Sequence, residues 1–416
     1  MLSPENWHFD PSSSLNLLLQ NKRKLPSMSK LTKHLHVLFL VLFLLIDTLF
    51  KTFTGLCFST DREPQLNKSD NDSNGITKLS SAIDSSDGEI LQSTNLEIFS
   101  FSALDKATSN FSYNAIIGEG SFGLVYKGWI EEHPLHADSA RRETGTAIAI
   151  KTLNRDGSQG QQEWLTEIKY LGQLCHPNLV KLIGYCIEDD HRLLVYEFMP
   201  NGSLENHISI EAGDSDIQVL SWDLRIKVAL GAAKGLAFLH QKVYAMHRDI
   251  KSTTILLDAN YNVKLSGFGL ARDGPTGNKS YVSTRALGNE FYAAPECAST
   301  GHLTKKGDVY SFGIVLLEII SGRRVIECNR PPEEVNLGIW ARNLSGRKDK
   351  FSQLLNPAIS GQHAISNAIK VAQLALKCVS LDPRLRPDME EVVGVLEEAQ
   401  GFHSRSERTE DVSITI

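Results

Sequence analysis

The feature that most constrains this chain is a glycine-rich turn between two apolar segments. The turn covers residues 118–123 and contains three glycines. The flanking segments, 115–117 and 124–130, are short and rich in β-branched and aromatic residues, as strands are. Glycines in such a turn let backbone N–H groups approach phosphate oxygens, because no β-carbon stands in the way. Taken alone, the pattern is explained better by a plain hairpin turn, so its meaning depends on the residues that come after it in the chain.

Two charged residues come after the turn at an informative spacing. Lys151 ends the next strand-like segment, where its ammonium group can reach the phosphates of a nucleotide held by the turn. Glu167 lies in residues 161–174, whose apolar side chains recur at helical spacing, and it can pair with Lys151. An isolated lysine–glutamate pair is more often a solvated surface pair. In this order after a glycine-rich turn, the two residues indicate a nucleotide site.

The segment His247-Arg248-Asp249-Ile250-Lys251 has the pattern of a phosphotransfer loop. Asp249 is placed to accept the proton of a substrate hydroxyl, and Lys251 is placed to lie beside the transferred phosphate. Farther along, Asp308 is expected to brace the backbone of this loop. Each of these residues could be structural in some other fold.

A second ion pair is expected between distant parts of the chain, where Arg386 is placed to pair with a buried Glu296. All these motifs are very improbable in this order by chance. The chain resembles a protein kinase, and more narrowly a plant receptor-like cytoplasmic kinase of subfamily VII. The resemblance extends from about Gly88 to Gln400 and includes long family-specific strings at residues 88–93, 99–111, 164–167, 176–186, 196–200 and 301–304.

The resemblance implies an α+β, bilobal protein-kinase fold, with a small antiparallel β-sheet lobe of five strands carrying one helix and a large helical lobe. The kinase-like domain is expected over 99–400, with the N-lobe at about 111–198 and the C-lobe at about 199–400. A short helix is predicted at 104–108, and longer ones at 161–174, 224–239, 309–320, 337–344, 364–381 and 389–399. Residues 401–416 are predicted to form a disordered tail.

The resemblance also assigns roles to individual residues. The expected nucleotide-binding residues are Gly118, Glu119, Gly120, Ser121, Phe122, Gly123, Val125, Ala149, Lys151, Glu197 and Met199. The residues expected to hold the fold are Glu167, Glu296, Asp308 and Arg386, and those of the activation segment are Ser283 and Thr284.

The departures from the family pattern cluster where the chemistry takes place. The position before Phe-Gly, where a kinase has the aspartate that holds Mg²⁺ against the ATP phosphates, is Gly267. The position of the asparagine for the second Mg²⁺ is Thr254. In the substrate platform, Asn289 replaces the threonine that contacts the catalytic loop, and Phe291 replaces a glycine. Binding of Mg²⁺ is therefore not expected, whereas ATP could still bind weakly.

Losing both metal ligands predicts a pseudokinase that is inactive or severely impaired, because metal ions supply much of the positioning and charge neutralisation. The resemblance implies a role in immune-receptor signalling, with receptor kinases or other signalling proteins as partners. A weakly active Ser/Thr kinase stays open as an alternative, and Lys251 after Asp249 favours Ser/Thr over Tyr specificity. The net charge of −6 gives no reason to expect a nucleic acid partner.

Residues 1–58 are predicted to be an N-terminal extension. Its apolar segment, 35–50, falls short of the ~20 residues that span a membrane and suits a signal-peptide apolar region better. A membrane-anchored, single-pass receptor-like protein is a third alternative, but the basic residues before this segment would place the downstream domain outside the cytosol. Residues 59–98 are rich in Ser, Asp and Asn, which predicts a disordered linker.

The string from Gly55 to Ser59 resembles the acylation signal of the same family. In a chain translated from Met1, Gly55 is not N-terminal and cannot be myristoylated. Cys57 could carry a palmitoyl group, although one chain gives only marginal binding. We expect a peripheral protein on the cytosolic face of the plasma membrane. Two further alternatives stay open: residues 1–54 are not normally translated, or the gene is decaying.

Overall fold

The computed structural model describes residues 96–120, 123–130, 145–153, 158–208, 220–275, 280–283, 289–344, 353–356 and 362–410. Within these ranges a sheet-containing lobe precedes a helical lobe, which confirms the predicted bilobal α+β class. The predicted extension 1–58, with its apolar segment and Cys57, lies outside the described residues, as does the predicted linker except for its last three residues. Ser121, Phe122 and Thr284 also lie outside them.

Among the described residues, six strands form one sheet. They are β1 (Glu97–Ile98), β2 (Ile116–Gly120), β3 (Gly123–Ile130), β4 (Thr146–Thr152), β5 (Leu182–Glu188) and β6 (His191–Glu197), in the order β1-β5-β6-β4-β3-β2. Strands β2 to β6 pair in antiparallel fashion as predicted, whereas β1 runs parallel to β5, so the sheet as a whole is mixed. Glu97 lies opposite Gly184, where a β-carbon would stand 2.1 Å from the Glu97 carbonyl oxygen. The absence of a side chain at Gly184 therefore lets β1 join the sheet.

Helices cover both faces of this sheet. On one face, α1 (Phe101–Ala107) begins at Ser100, whose hydroxyl accepts a hydrogen bond from the Ala103 N–H at 3.2 Å, and it buries Leu104 against Ile148. On the other face, α2 (Ser158–Leu171) packs residues such as Ile168 into the main core. Helix α2 is the one predicted for the sheet lobe, and α1 is the short helix predicted separately at 104–108, which begins three residues earlier than predicted.

The helical lobe is built around one helix that is buried along most of its length. Its helices are α3 (Glu205–Ile208), α4 (Trp222–Phe238), α5 (Pro295–Thr300), α6 (Lys305–Ser321), α7 (Leu337–Leu344), α8 (Gln362–Cys378) and α9 (Met389–Glu410). Every residue of α6 from Asp308 to Ser321 is buried, as expected for a helix whose apolar residues cover all its sides, and the two carboxylates in this stretch, Asp308 and Glu318, are hydrogen-bonded. The helix ends at Gly322, which has a φ of 68°. Helix α9 continues to Glu410, whereas the tail predicted to be disordered begins at residue 401.

Short strand pairs position the catalytic loop in this lobe. β8 (Ile255–Leu257) and β9 (Val263–Leu265) form a hairpin in which Ile255 pairs with Leu265. The residue that precedes β8 therefore lies beside the residue that follows β9. β7 (Ala245–Met246) pairs with β10 (Arg272–Asp273), and β11 (Val282–Ser283) pairs with β12 (His302–Leu303). Within the described part of the chain, no helix is both long and apolar enough to cross a membrane.

Candidate nucleotide and phosphotransfer site

The ion pair predicted between Lys151 and Glu167 is present. The Lys151 Nζ atom lies 2.8 Å from Oε1 of Glu167, which joins strand β4 to helix α2. The Glu167 side chain is only 2% exposed, and its other oxygen accepts a hydrogen bond from the Tyr196 hydroxyl. A buried carboxylate needs partners of this kind, because its desolvation is otherwise uncompensated. Helix α2 is therefore held against the sheet, in the swung-in position that the pair requires.

The described part of the glycine-rich turn lies against Lys151. Gly118, Glu119 and Gly120 end β2, and a β-carbon at Gly120 would stand 3.6 Å from Cε of Lys151. At Gly123, which has a φ of 157°, a β-carbon would stand 1.7 Å from the carbonyl oxygen of the residue after Lys151. This approach is too close for any other residue type. The described glycines on both sides of the turn, Gly120 and Gly123, therefore lie close to Lys151 and its neighbour Thr152.

The other residues predicted to bind the nucleotide lie on the same strands and on the connection to the helical lobe. Val125 lies opposite Lys151, and Ala149 pairs with Tyr196. Glu197 Oε1 accepts a hydrogen bond from the Lys181 N–H at 2.7 Å and lies 3.1 Å from Nζ of Lys264. The Met199 side chain is buried. Because Lys264 belongs to β9, the carboxylate of Glu197 links the two lobes.

Asp308 braces the catalytic loop as predicted. Its carboxylate accepts hydrogen bonds from the backbone N–H groups of His247 and Arg248, each at 2.8 Å, and contacts Nε2 of His240 at 2.9 Å. Burial alone would raise the pKa of Asp308, but hydrogen bonds and the neighbouring imidazole groups hold it below its ordinary value. His240 was not predicted from the sequence, where its one signal was a polar residue at the end of an apolar helical segment.

The two residues predicted to act in phosphotransfer lie together. Oδ2 of Asp249 is 2.9 Å from Nζ of Lys251, with 11% and 18% of the respective side chains exposed. The predicted roles are that the carboxylate accepts a hydroxyl proton and that the ammonium group lies beside the transferred phosphate. Each group, however, already has the other as its partner.

The two positions of the usual metal ligands, Thr254 and Gly267, form what we call the metal corner. The Thr254 hydroxyl faces the carbonyl oxygens of Asp249 (2.8 Å) and Lys251 (3.1 Å) and accepts from the Lys251 N–H at 3.2 Å. Gly267 has a φ of 78° and offers no side-chain ligand. In the described ranges no group of three His, Cys, Asp or Glu side chains could hold a metal ion. The residues present do not fit Mg²⁺, which prefers several oxygen ligands.

The substrate platform also departs from the family pattern in its contacts. Oδ1 of Asn289 accepts a hydrogen bond from the Phe291 N–H at 3.0 Å, so this side chain is engaged within its own turn. The Phe291 ring is exposed. The next residue, Tyr292, donates its hydroxyl to buried Glu318 at 2.9 Å. Burial raises the pKa of Glu318 to about 8, although the hydrogen bonds from Tyr292 and a backbone N–H oppose this rise.

The second predicted ion pair is also present. Nη1 and Nη2 of Arg386 lie 2.6 Å and 2.8 Å from the two carboxylate oxygens of Glu296. The arginine side chain is 0% exposed and the glutamate side chain 24%, so the prediction of a buried Glu296 was wrong in that detail. Ser283 of the activation segment is exposed and pairs with His302.

The two lobes, the Lys151–Glu167 pair and the braced loop around Asp249 define the class of protein as one with a kinase fold. The family model described as "Protein tyrosine and serine/threonine kinase" matches residues 111–396. The chain therefore belongs to the protein kinase family.

Several plant kinases are similar to it along most of their length. The chain is 56% identical over 327 residues to the probable serine/threonine-protein kinase PBL10 of Arabidopsis thaliana, covering 78% of each protein. It is 55% identical over 316 residues to receptor-like cytoplasmic kinase 176 of Oryza sativa subsp. japonica, covering 76% of this chain and 79% of the relative. It is 48% identical over 371 residues to the serine/threonine-protein kinase BIK1 of Arabidopsis thaliana, covering 87% and 93%.

Proposed function

We propose that this chain is a pseudokinase of the receptor-like cytoplasmic kinase subfamily VII, and that it works by binding other signalling proteins. The observation that carries the proposal is the metal corner. Gly267 supplies no ligand, and the hydroxyl of Thr254 is directed to the backbone of its own loop. The surrounding fold keeps the ion pairs and the brace that hold a kinase in its active arrangement.

Charge at the phosphate position supports the same conclusion. Transfer of a phosphoryl group depends on neutralising the phosphate oxygens, and losing a metal ligand should cost several kcal/mol, or roughly a thousandfold in rate. The two lysines that face this region, Lys151 and Lys251, are each 2.8–2.9 Å from a carboxylate. Each ammonium group is therefore already partly neutralised by a carboxylate, so the two lysines supply less positive charge to the phosphates than two divalent ions would. ATP binding is therefore expected to be weak and independent of Mg²⁺.

The partners of such a protein would be receptor kinases or other components of immune-receptor signalling, as the family resemblance implies. A relative that is 55% identical is named as a receptor-like cytoplasmic kinase. The swung-in α2 supports a scaffold role, because a surface recognised on active kinases would be retained without catalysis.

The experiment combines nucleotide binding with phosphotransfer. Thermal shift is measured with ATP in EDTA, Mg²⁺ and Mn²⁺, and autophosphorylation is measured on the same samples. We expect the wild-type chain to show no metal-dependent shift and little or no incorporation. The double variant Gly267→Asp, Thr254→Asn should gain both, and adding Asp249→Asn to it should abolish the gained incorporation. Wild-type turnover of about 1–100 s⁻¹, typical of kinases, would overturn the proposal.

A second candidate function is that of a weakly active Ser/Thr kinase. It is favoured by the Asp249–Lys251 pair, which keeps a proton acceptor and a cation in place. A slow wild-type activity that disappears in Asp249→Asn would establish this function. Activity that survives Asp249→Asn belongs to a contaminant and leaves the pseudokinase proposal standing.

We further propose that the protein is held peripherally at the cytosolic face of the plasma membrane, which the family resemblance around Gly55 and Cys57 supports. Replacing residues 1–54 by a single Met places Gly55 second, where myristoylation can occur. This truncated protein should associate more strongly with the membrane fraction, and Gly55→Ala should cancel the gain. A truncated protein that becomes fully soluble would instead identify the segment 35–50 as the anchor.

A further inference from the structure

The two unusual residues of the metal corner lie against each other. The β8–β9 hairpin pairs Ile255 with Leu265, and one step beyond this pair the Ser266 N–H donates to the Thr254 carbonyl oxygen at 2.9 Å. The Ser266 hydroxyl donates to the same carbonyl at 3.0 Å. Thr254 is therefore fixed opposite Ser266, directly beside Gly267.

The side chain of Thr254 occupies the space that a side chain at position 267 would need. A β-carbon built on Gly267 would stand 2.8 Å from Cγ2 of Thr254, 3.5 Å from its Cβ and 3.8 Å from Oδ2 of Asp249. Non-bonded carbon atoms pack at about 3.5–4.0 Å. The γ-methyl group is therefore too close for any residue other than glycine, unless Thr254 moves.

Thr254 is not free to move. Its side chain is buried, and its hydroxyl contacts the backbone of Asp249 and Lys251. Threonine is β-branched, so fixing the hydroxyl also fixes the methyl group. Turning the methyl away from Gly267 would take the hydroxyl away from the loop that carries Asp249.

From this geometry we infer that the side chain of Thr254 excludes a side chain at position 267. The residues at the two metal-ligand positions are therefore coupled, because threonine at 254 requires glycine at 267. The inference deepens the proposed function and rests on it for its consequence: Gly267→Asp alone should not rebuild a metal site. Thr254→Ser should release the block, because serine keeps the hydroxyl and lacks the γ-methyl group.

The positive φ of Gly267 is a separate obstacle, since L-residues other than Asn and Asp rarely adopt it. A double-mutant cycle separates this backbone strain from the clash with the methyl group. The strain of a positive φ at position 267 is the same whether residue 254 is threonine or serine, whereas the clash is present only with threonine. The four full-length proteins are the wild type, Gly267→Ala, Thr254→Ser and the double variant, compared by their thermal midpoints. The matched control is Gly394→Ala, where a β-carbon meets nothing within 4 Å.

We expect Gly267→Ala to lower the midpoint by about 2–6 °C more beside Thr254 than beside serine, while Gly394→Ala has equal effects in both backgrounds. Equal losses from Gly267→Ala in the two backgrounds would overturn the inference. The cycle is repeated with Gly267→Asp, which tolerates a positive φ better, so a poorly folded alanine variant does not decide the outcome.

A second measurement concerns the metal directly. The Mn²⁺-dependent part of the ATP thermal shift should be larger in Thr254→Ser, Gly267→Asp than in Gly267→Asp alone. Equal metal-dependent shifts would contradict the block. The stability cycle does not depend on phosphotransfer, so an active wild-type protein with a coupled cycle would refute only the proposed function. An inactive wild-type protein with an uncoupled cycle would refute only this inference.

Discussion

The residues that hold the fold and the residues of the metal corner differ in where their polar groups are directed. In the frame, which we define as the Lys151–Glu167 pair, Asp308 and the Glu296–Arg386 pair, each carboxylate is bonded to a different element of the chain. In the metal corner, the Thr254 hydroxyl bonds to its own loop and Gly267 has no polar side chain. The frame joins separate elements of the chain, whereas the polar side-chain contacts of the metal corner stay within one loop.

The two sets of residues are therefore subject to different physical requirements. A buried charge that loses its partner destabilises the whole domain, whatever the domain does. A metal ligand at the edge of a cleft is bonded to the ion and contributes little to folding without it. A chain that does not use phosphotransfer can therefore lose the corner and must keep the frame.

The largest expected effect comes from breaking the frame at Asp308. The Asp308 carboxylate contacts His240 and the backbone N–H groups of His247 and Arg248, and Asp308→Asn removes its negative charge. The free energy of unfolding should fall by roughly 3–5 kcal/mol. Chemical denaturation measures this loss. The matched control is Asp388→Asn, because Asp388 is 80% exposed and its pair with Lys306 should contribute less than about 1 kcal/mol. Similar losses in the two variants would show that the frame has no special role.

The sequence revealed most of the frame because its motifs occur in a fixed order. Lys151, Glu167, Asp308 and Arg386 could each be assigned from position alone, and their contacts agree with the predictions. Partners that belong to no local pattern were missed, as Tyr196 shows, because its contact with Glu167 depends on how a strand packs against a helix.

Two other features needed coordinates for physical reasons. Strand β1 has two residues, too few to show any periodicity, and it forms only because Gly184 leaves space beside it. The identity of Thr254 predicted a lost ligand, but the direction of its hydroxyl and the contact of its methyl group depend on the hairpin register. The coupling within the metal corner could not be predicted from sequence.

The next largest change in stability is expected to depend on pH, through the buried carboxyl group of Glu318, which was not predicted from the sequence. Burial raises the pKa of Glu318 to about 8, so the folded protein keeps a proton that the unfolded chain releases at its lower, ordinary pKa. Stability from this group is complete below the ordinary pKa and is lost as the pH rises through about 8. Between about pH 6 and about pH 8 the unfolding free energy should fall by on the order of 2 kcal/mol.

The variant Glu318→Gln tests this dependence, because glutamine can still accept the hydrogen bond from Tyr292 and does not titrate. The free energy of unfolding is measured against pH for both proteins, and the difference between the two curves isolates Glu318 from His247 and other groups. The wild-type curve should fall more steeply than that of Glu318→Gln. Parallel curves would show that Glu318 is already ionised in the folded protein, held by its hydrogen bonds.

The smallest change in stability is expected at Thr254, whose hydroxyl is hydrogen-bonded to its own loop. Thr254→Val keeps the shape of the side chain and removes the hydroxyl, so the Asp249 carbonyl and the Lys251 N–H each lose a partner. The loss should be about 1 kcal/mol, the value typical of a hydrogen bond between neutral groups. Hydrogen exchange of the Lys251 amide should also become faster in Thr254→Val, whereas in Thr254→Ser, which keeps the hydroxyl, it should not. If Thr254→Val changed neither stability nor exchange, the hydroxyl would be free to turn toward an ion, and the contrast between frame and corner would fail at this residue.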